Sequence, residues 1–323
     1  EKEASGFEDG VYRVTVNLWH SSQNQQSMGN SAIRGSSAYN ERHAEDDPSY
    51  QALLVVKNGE GTVIMESMAM GFLGTYGYLL ELDSITVTEY NQWGYPSEYT
   101  ENPAMVLAEH RMTDGSIAKD LYNDPDSESV LEVANGKAYP HIMALSVELP
   151  DQPVTQAWNE APYVHVFVPV MYSISPSSGD QLAHLILDYT NMTKVEDLSG
   201  EVEYWLYEAM ITEQGTATDE AWQALQDVIT ETKEKLSNTL VSLELSGSST
   251  APTPVRRTEE MDEQERQARV SRLKTAIEEV VLPGGDTEEG WDGVTVKEPA
   301  RELSSVYVAG AEELAWVAAQ VNA

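Results

Sequence analysis

The sequence predicts a mainly β chain, a sandwich or barrel, followed by a helical hairpin or small helical domain. Three observations predict it. Residues 11–20 (VYRVTVNLWH) alternate apolar and polar, as a strand with one buried face does. Several further short strand-like runs follow, separated by turn signals rather than by helical segments. From about residue 216 the apolar spacing changes to a helical period.

The strands come in order. Residues 50–70 read as two strands around Asn58-Gly59, a dipeptide that tolerates the positive φ angles of a tight hairpin turn. Residues 77–87 (GYLLELDSITV), 139–149 (YPHIMALSVEL), 163–172 (YVHVFVPVMY) and 181–189 (QLAHLILDY) supply the rest. The polar stretches 34–49 and 88–138 are expected to be insertions or long loops. After the start Thr218-Asp219-Glu220, the residues Trp222, Leu225, Ile229, Leu236, Leu240 and Leu243 recur at helical spacing. SGSSTAPTP (246–254) breaks that helix, and a second runs from about 258 through Met261, Val270, Leu273, Ile277 and Val280 to Pro283-Gly284-Gly285.

Composition excludes several function classes. Nineteen Lys and Arg against 54 Asp and Glu give a formal charge of −35, which repels nucleic acid and anionic membrane surfaces. With no Cys, disulfides, thiolate chemistry, Cys-ligated zinc and iron–sulfur clusters are excluded. No stretch approaches the apolar length of a membrane span. There is no basic n-region or apolar h-region at the opening EKEASG, so any signal peptide is expected to have been removed. Neither G-x-S-x-G, P-loop nor G-x-G-x-x-G occurs, and no enzyme is expected. The six histidines show no H-x-x-x-H pairing, which leaves a zinc site unsupported; His165 and His184 are expected on adjacent strands as surface or hydrogen-bonded residues. The oxygen-rich run Asn123–Glu128 lacks the glycine and spacing of an EF-hand loop and reads as a solvated acidic loop.

Two segments stand out: Ser27-Met28-Gly29-Asn30-Ser31-Ala32 directly after the first strand, and Val168-Pro169-Val170-Met171 on the late strand. With DGVYRVTVNLWH (9–20), TVIMESMAMGFLGTYGYL (62–79) and VFVPVM…QLAHLILDY, in that order, they resemble the NEAT (near-iron transporter) family over about residues 7–195. The resemblance implies an immunoglobulin-like antiparallel β-sandwich that binds haem. It also implies an extracellular place, in the cell wall or on the surface of a Gram-positive bacterium, capturing and relaying haem for iron acquisition. Host haemoproteins and other relay proteins are the further partners it implies.

The common family pattern of a late-strand Tyr with a second Tyr four residues on is absent. Tyr163, Phe167 and Met171 stand at that spacing, expected on one strand face. What remains resembles the branch in which one Met from the helical turn and one from the late strand hold the iron, and Met28 and Met171 match those positions. Haem needs a greasy slot open to water at one edge, and a neutral thioether is a soft iron ligand. Phe167 and Pro169 beside Met171, and Ile33 beside Met28, are the expected walls; Arg34 is the expected propionate partner. Most buried Met merely fill gaps, and Met65, Met68 and Met70 read that way. Ser27 and Asn30 read as residues that cap and shape the turn. The alternative function is a non-haem adhesin or haemoprotein-binding module on the same sandwich.

Three units are expected: a sandwich at 7–195, a helical hairpin or spacer at 200–283, and from 284 the start of a further unit. That last segment, with its W-D-G turn and A-E-E-L-A-W-V-A, resembles the opening of Gram-positive cell-surface repeats.

Overall fold

The computed structural model describes residues 6–43, 49–72, 75–241, 253–254 and 261–281. The segment from 284 and most of the Ser/Pro loop at 246–254 lie outside the described residues.

Among the described residues the chain is mainly β, with largely antiparallel sheets and six α-helices. Strands β1 (Gly10–Val14) and β2 (Val16–His20) open it, followed by a 3-10 turn (Met28–Ala32) and helix α1 (Ser37–Arg42). Next come β3 (Ala52–Lys57), β4 (Glu60–Glu66), the small hairpin β5 (Met70–Phe72) and β6 (Thr75–Gly77), and then β7 (Glu81–Tyr90), β8 (Pro96–Asn102) and β9 (Met105–Met112). The sheets are completed by β10 (Pro140–Val147), β11 (Tyr163–Phe167), helices α2 (Pro169–Ile174) and α3 (Pro176–Gly179), β12 (Asp180–Leu187) and β13 (Thr193–Lys194). Last are α4 (Val202–Ile211), α5 (Asp219–Leu236), β14 (Asn238–Val241), β15 (Thr253–Pro254) and α6 (Glu263–Val281).

One sheet runs β13-β1-β3-β4-β10-β9-β14-β15 and the other β2-β12-β11-β7-β8. They face each other across one core. Val14, Leu54, Met65 and Leu145 come to it from the first sheet, and Leu18, Leu82, Val166 and Leu185 from the second. The β3–β4 turn is as the sequence predicts, with Asn58 (φ 54°) and Gly59 (φ 76°) both in the left-handed region.

The central strands of the first sheet carry buried residues on both faces. Its outward residues Val11, Leu53, Val55, Ile64, Leu107, Ile142 and Ala144 form a second core with Trp205 and Leu206 of α4, Leu225 and Ile229 of α5, and Val270 and Leu273 of α6. Residues buried on both faces explain why β3 reads as the unbroken apolar run ALLVV rather than as an alternation.

Several details depart from the sequence expectation. Residues 88–138 are not wholly loop, because the long β7–β8 hairpin and β9 lie there. Strand β8 is an edge strand, exposed along its length and opening with Pro96, and so carries no apolar signal. Helix α4 precedes the point, near residue 216, where the sequence expectation places the first helix. The Thr218 hydroxyl caps α5 through the Ala221 N–H, but that helix stops at Leu236; the chain then pairs in parallel with β9, so Leu240 is on a strand. Leu243 lies outside the described residues. Among the described residues, no helix is long and apolar enough to cross a membrane.

Candidate functional site

The turn that carries Met28 is pinned from several sides. The Ser27 hydroxyl accepts from the Gly29 N–H at 3.3 Å, and the buried Asn30 side chain accepts from the Leu18 N–H at 2.8 Å. The Ser36 hydroxyl donates to the Asn30 carbonyl at 2.6 Å, and the Met68 N–H donates to the Ala32 carbonyl at 2.7 Å. Ser27 and Asn30 thus shape the turn as expected. Gly29 through Ala32 are buried, whereas Met28 at the head of the turn is 53% exposed. A thioether held on a fixed backbone and turned outward is able to meet a ligand without breaking the core.

Met171 is placed differently from the expectation. Strand β11 ends at Phe167, and Pro169 starts α2 at its first position, where a missing N–H and a fixed φ favour a helix. Met171 is therefore helical and 3% exposed, in the core shared by the two sheets, together with Met70, Leu79 and Ile33. Tyr163, Phe167 and Met171 do not share a strand face. Tyr163 packs on His184 with ring centres 4.0 Å apart and the rings tilted by 35°. Phe167 belongs to a separate buried group with Tyr78 and Tyr139.

The two methionines sit on elements that flank one small hairpin, since the 3-10 turn packs against β5 and α2 packs against β6. Val170 in particular closes on Gly77: a Cβ there would lie 3.0 Å from the Val170 side chain. Helix α2 is held from behind by a close approach at Gly179, where a Cβ would fall 2.0 Å from the Tyr172 nitrogen. Only glycine fits there.

Of the expected walls, Ile33 and Pro169 are buried on these same elements. Arg34 is committed elsewhere: its Nη1 donates to Glu66 Oε2 at 3.0 Å, and Glu66 is almost wholly buried. Burial alone would lower the guanidinium pKa, but the Glu66 charge and hydrogen bond outweigh it and hold the pKa above its ordinary value.

A second constellation had no signal in sequence spacing. Glu81, Asp83 and His165 each offer a ligand atom within 4.8 Å of the others, the one such group of three His or acidic side chains among the described residues. The acidic run at 123–128 contributes none. His165 donates from Nε2 to Asp180 Oδ1 at 2.9 Å, and its Nδ1 lies 3.7 Å from Glu101 and 4.0 Å from Asp83. Burial would lower the imidazole pKa, but the neighbouring carboxylates of Asp83, Asp180 and Glu101 outweigh it and raise it to about 9. His184, on the adjacent strand as expected, is instead pulled below its ordinary value by burial.

No family model matches this chain, and no curated protein matches it. Among solved structures it is similar to the NEAT5 domain of IsdX2, a B. anthracis hemophore, in complex with heme, and to a point mutant of that domain with heme. Both matches are at 12% identity and a TM-score of 0.25, covering 57% of this chain and 99% of the other. A likeness that slight assigns neither fold nor ligand.

Proposed function

We propose that this chain binds haem, with Met28 and Met171 as the two iron ligands, and that it captures and relays haem at the surface of a Gram-positive bacterium. The observation that carries the reading is the exposed Met28 at the head of an otherwise buried, tightly pinned turn. That turn follows the first strands, where the motif SMGNSA resembles the haem-facing turn of the NEAT family. Bound haem iron accepts neutral sulfur, and the chain's part is to hold the disc and exclude water around it. Met28 provides the outer thioether and Ile33 the apolar support behind the turn. Met171 provides the inner one, and its burial means that α2, between Pro169 and Ile174, must yield for its sulfur to reach iron. Phe167, just before the helix, anchors it to the neighbouring buried group. Arg34 fixes the turn through Glu66. No catalysis is required of such a relay.

One observation favours a second reading, a non-haem adhesin or haemoprotein-binding module. Tyr90, Trp93, Tyr95 and Tyr99 are exposed around the tip of the β7–β8 hairpin, Trp93 at 73%, and exposed aromatic side chains are the residue types enriched at binding interfaces. An absorbance titration with haem separates the two. A saturable Soret band at one haem per chain is the expected result. No band beyond that of free haem would leave the hairpin reading.

A further inference from the structure

On the outward face of the second sheet, four strands bring together the group around His165. Side chains alternate along a strand, so Glu81 and Asp83 share one face of β7. His165 of β11 stands directly opposite Asp83. Glu101 of β8 pairs with Ile85, two residues beyond Asp83, and Asp180 of β12 pairs with Phe167, two residues beyond His165, so both join the same face. Glu81, Asp83 and Glu101 also line a cleft of ≈ 260 Å³.

Within this group His165 is 5% exposed, and its Nδ1 has no hydrogen-bond partner. Its other nitrogen donates to Asp180. Nδ1 is thus aimed at Asp83 and Glu101, at distances too long for a hydrogen bond, and a cation bound there would take the place of its proton. Two ligand atoms on one tetrahedral zinc ion stand about 3.3 Å apart, given metal bonds of about 2.0–2.1 Å, so side-chain shifts of about 0.4 Å for Glu101 and about 0.7 Å for Asp83 close the gap to His165. An imidazole that gives one N–H to a carboxylate and offers the other nitrogen to a cation is the usual carboxylate–histidine–metal arrangement. Four carboxylates surround this point, offset by His165 itself and by Lys137, which pairs with Glu81 at 2.9 Å. The excess is negative.

We infer that this side-chain cluster, at the edge of the cleft, is a binding site for a divalent transition cation of the zinc class, held by His165 Nδ1, Asp83, Glu81 and Glu101, with Asp180 orienting the imidazole. The nitrogen ligand separates it from a calcium site, whose ligands are all oxygen. The inference is independent of the haem reading, since none of these residues belongs to the turn or to α2.

The test uses the full chain without haem, titrated with zinc by calorimetry at high salt to screen diffuse binding by the acidic surface. One saturable site per chain is expected. His165→Gln and Glu101→Gln should each weaken it at least about tenfold, because each removes a ligand. Glu98→Gln, an exposed residue elsewhere on the same hairpin, should leave it unchanged. Zinc-edge X-ray absorption should show nitrogen and oxygen ligands and no sulfur. Absence of a saturable site, indifference to both ligand variants, equal competition by calcium, or a sulfur ligand would each overturn the assignment. Glu101 is part-exposed on an edge hairpin, so its variant retains the fold even where His165→Gln disturbs it.

Discussion

Arg34 donates to Glu66 Oε2 at 3.0 Å while its guanidinium carbon lies 4.3 Å above the centre of the Tyr50 ring. One side chain thereby ties the end of the Met28 turn to the end of β4, with Tyr50 closing over it. Removing one partner of a buried ion pair leaves the other charge in a poor solvent, at a cost of about 3–5 kcal/mol. Arg34→Ala should accordingly lower the unfolding midpoint clearly, while Arg34→Lys, which keeps a charge but loses the planar fork, should lower it less. A thermal melt checks this. Equal melts for the parent and Arg34→Ala would show that the pair does not hold the turn.

The helices bear on the stability of the sheets. Val11, Leu53, Val55, Ile64 and Ile142 are buried only because α4, α5 and α6 cover them. Trp205 is the largest plug in that layer, and its indole N–H donates to the Leu198 carbonyl at 2.9 Å. Trp205→Ala should destabilise the whole chain by about 3–5 kcal/mol, the cost of emptying a large aromatic site. A chain truncated after residue 198 should be β-rich but prone to self-association, because it exposes a broad apolar sheet face. Size-exclusion chromatography with circular dichroism decides. A monomeric truncated chain with the parent's melting midpoint would show that the helices contribute nothing to the sheets.

Much of this was legible in the sequence, and the reasons differ by element. Alternation in β1 and β2 and the Asn58-Gly59 turn are local signals, and they appear where expected. The apolar runs ALLVV of β3 and IMAL of β10 already carry the information that the first sheet has a second covering, but a run alone does not say what covers it. Strand β8 escaped because an exposed edge strand has no buried face to mark it. For Met171 the sequence suggests a strand because VFVPVM suits either period over so short a span; Pro169 settles it as a helix start. Glu81, Asp83, Glu101 and His165 come together only through strand pairing across more than eighty residues, which spacing along the chain does not reveal.

His184 makes the stability respond to pH. Its Nδ1–H donates to the Ala161 carbonyl at 2.7 Å, and its ring packs against Tyr163 and Trp158. Burial depresses its pKa, so below the unfolded value of about 6.5 the unfolded chain binds the extra proton more readily. The contribution of a neutral His184 is therefore present above about pH 6.5 and lost as pH falls below it. His184→Gln should flatten the fall in melting midpoint between about pH 7 and pH 5 relative to the parent. A variant with the same slope as the parent, or a His184 ring resonance titrating above 6.5, would contradict this.

The most direct test of the haem reading is a paired titration of ferric and ferrous haem into the parent, Met28→Ala, Met171→Ala and Met65→Ala, at two pH values and high salt. A thioether has no proton to lose and favours ferrous iron, whereas a phenolate must deprotonate and favours ferric. The account predicts a six-coordinate complex that survives reduction and whose ferric affinity changes little from mildly acidic to neutral pH. Loss of either Met28 or Met171 should weaken binding more than loss of Met65, a core residue of the same type. Haem released on reduction, ferric affinity lost steeply as pH falls, or equal and negligible effects of both ligand variants would contradict it.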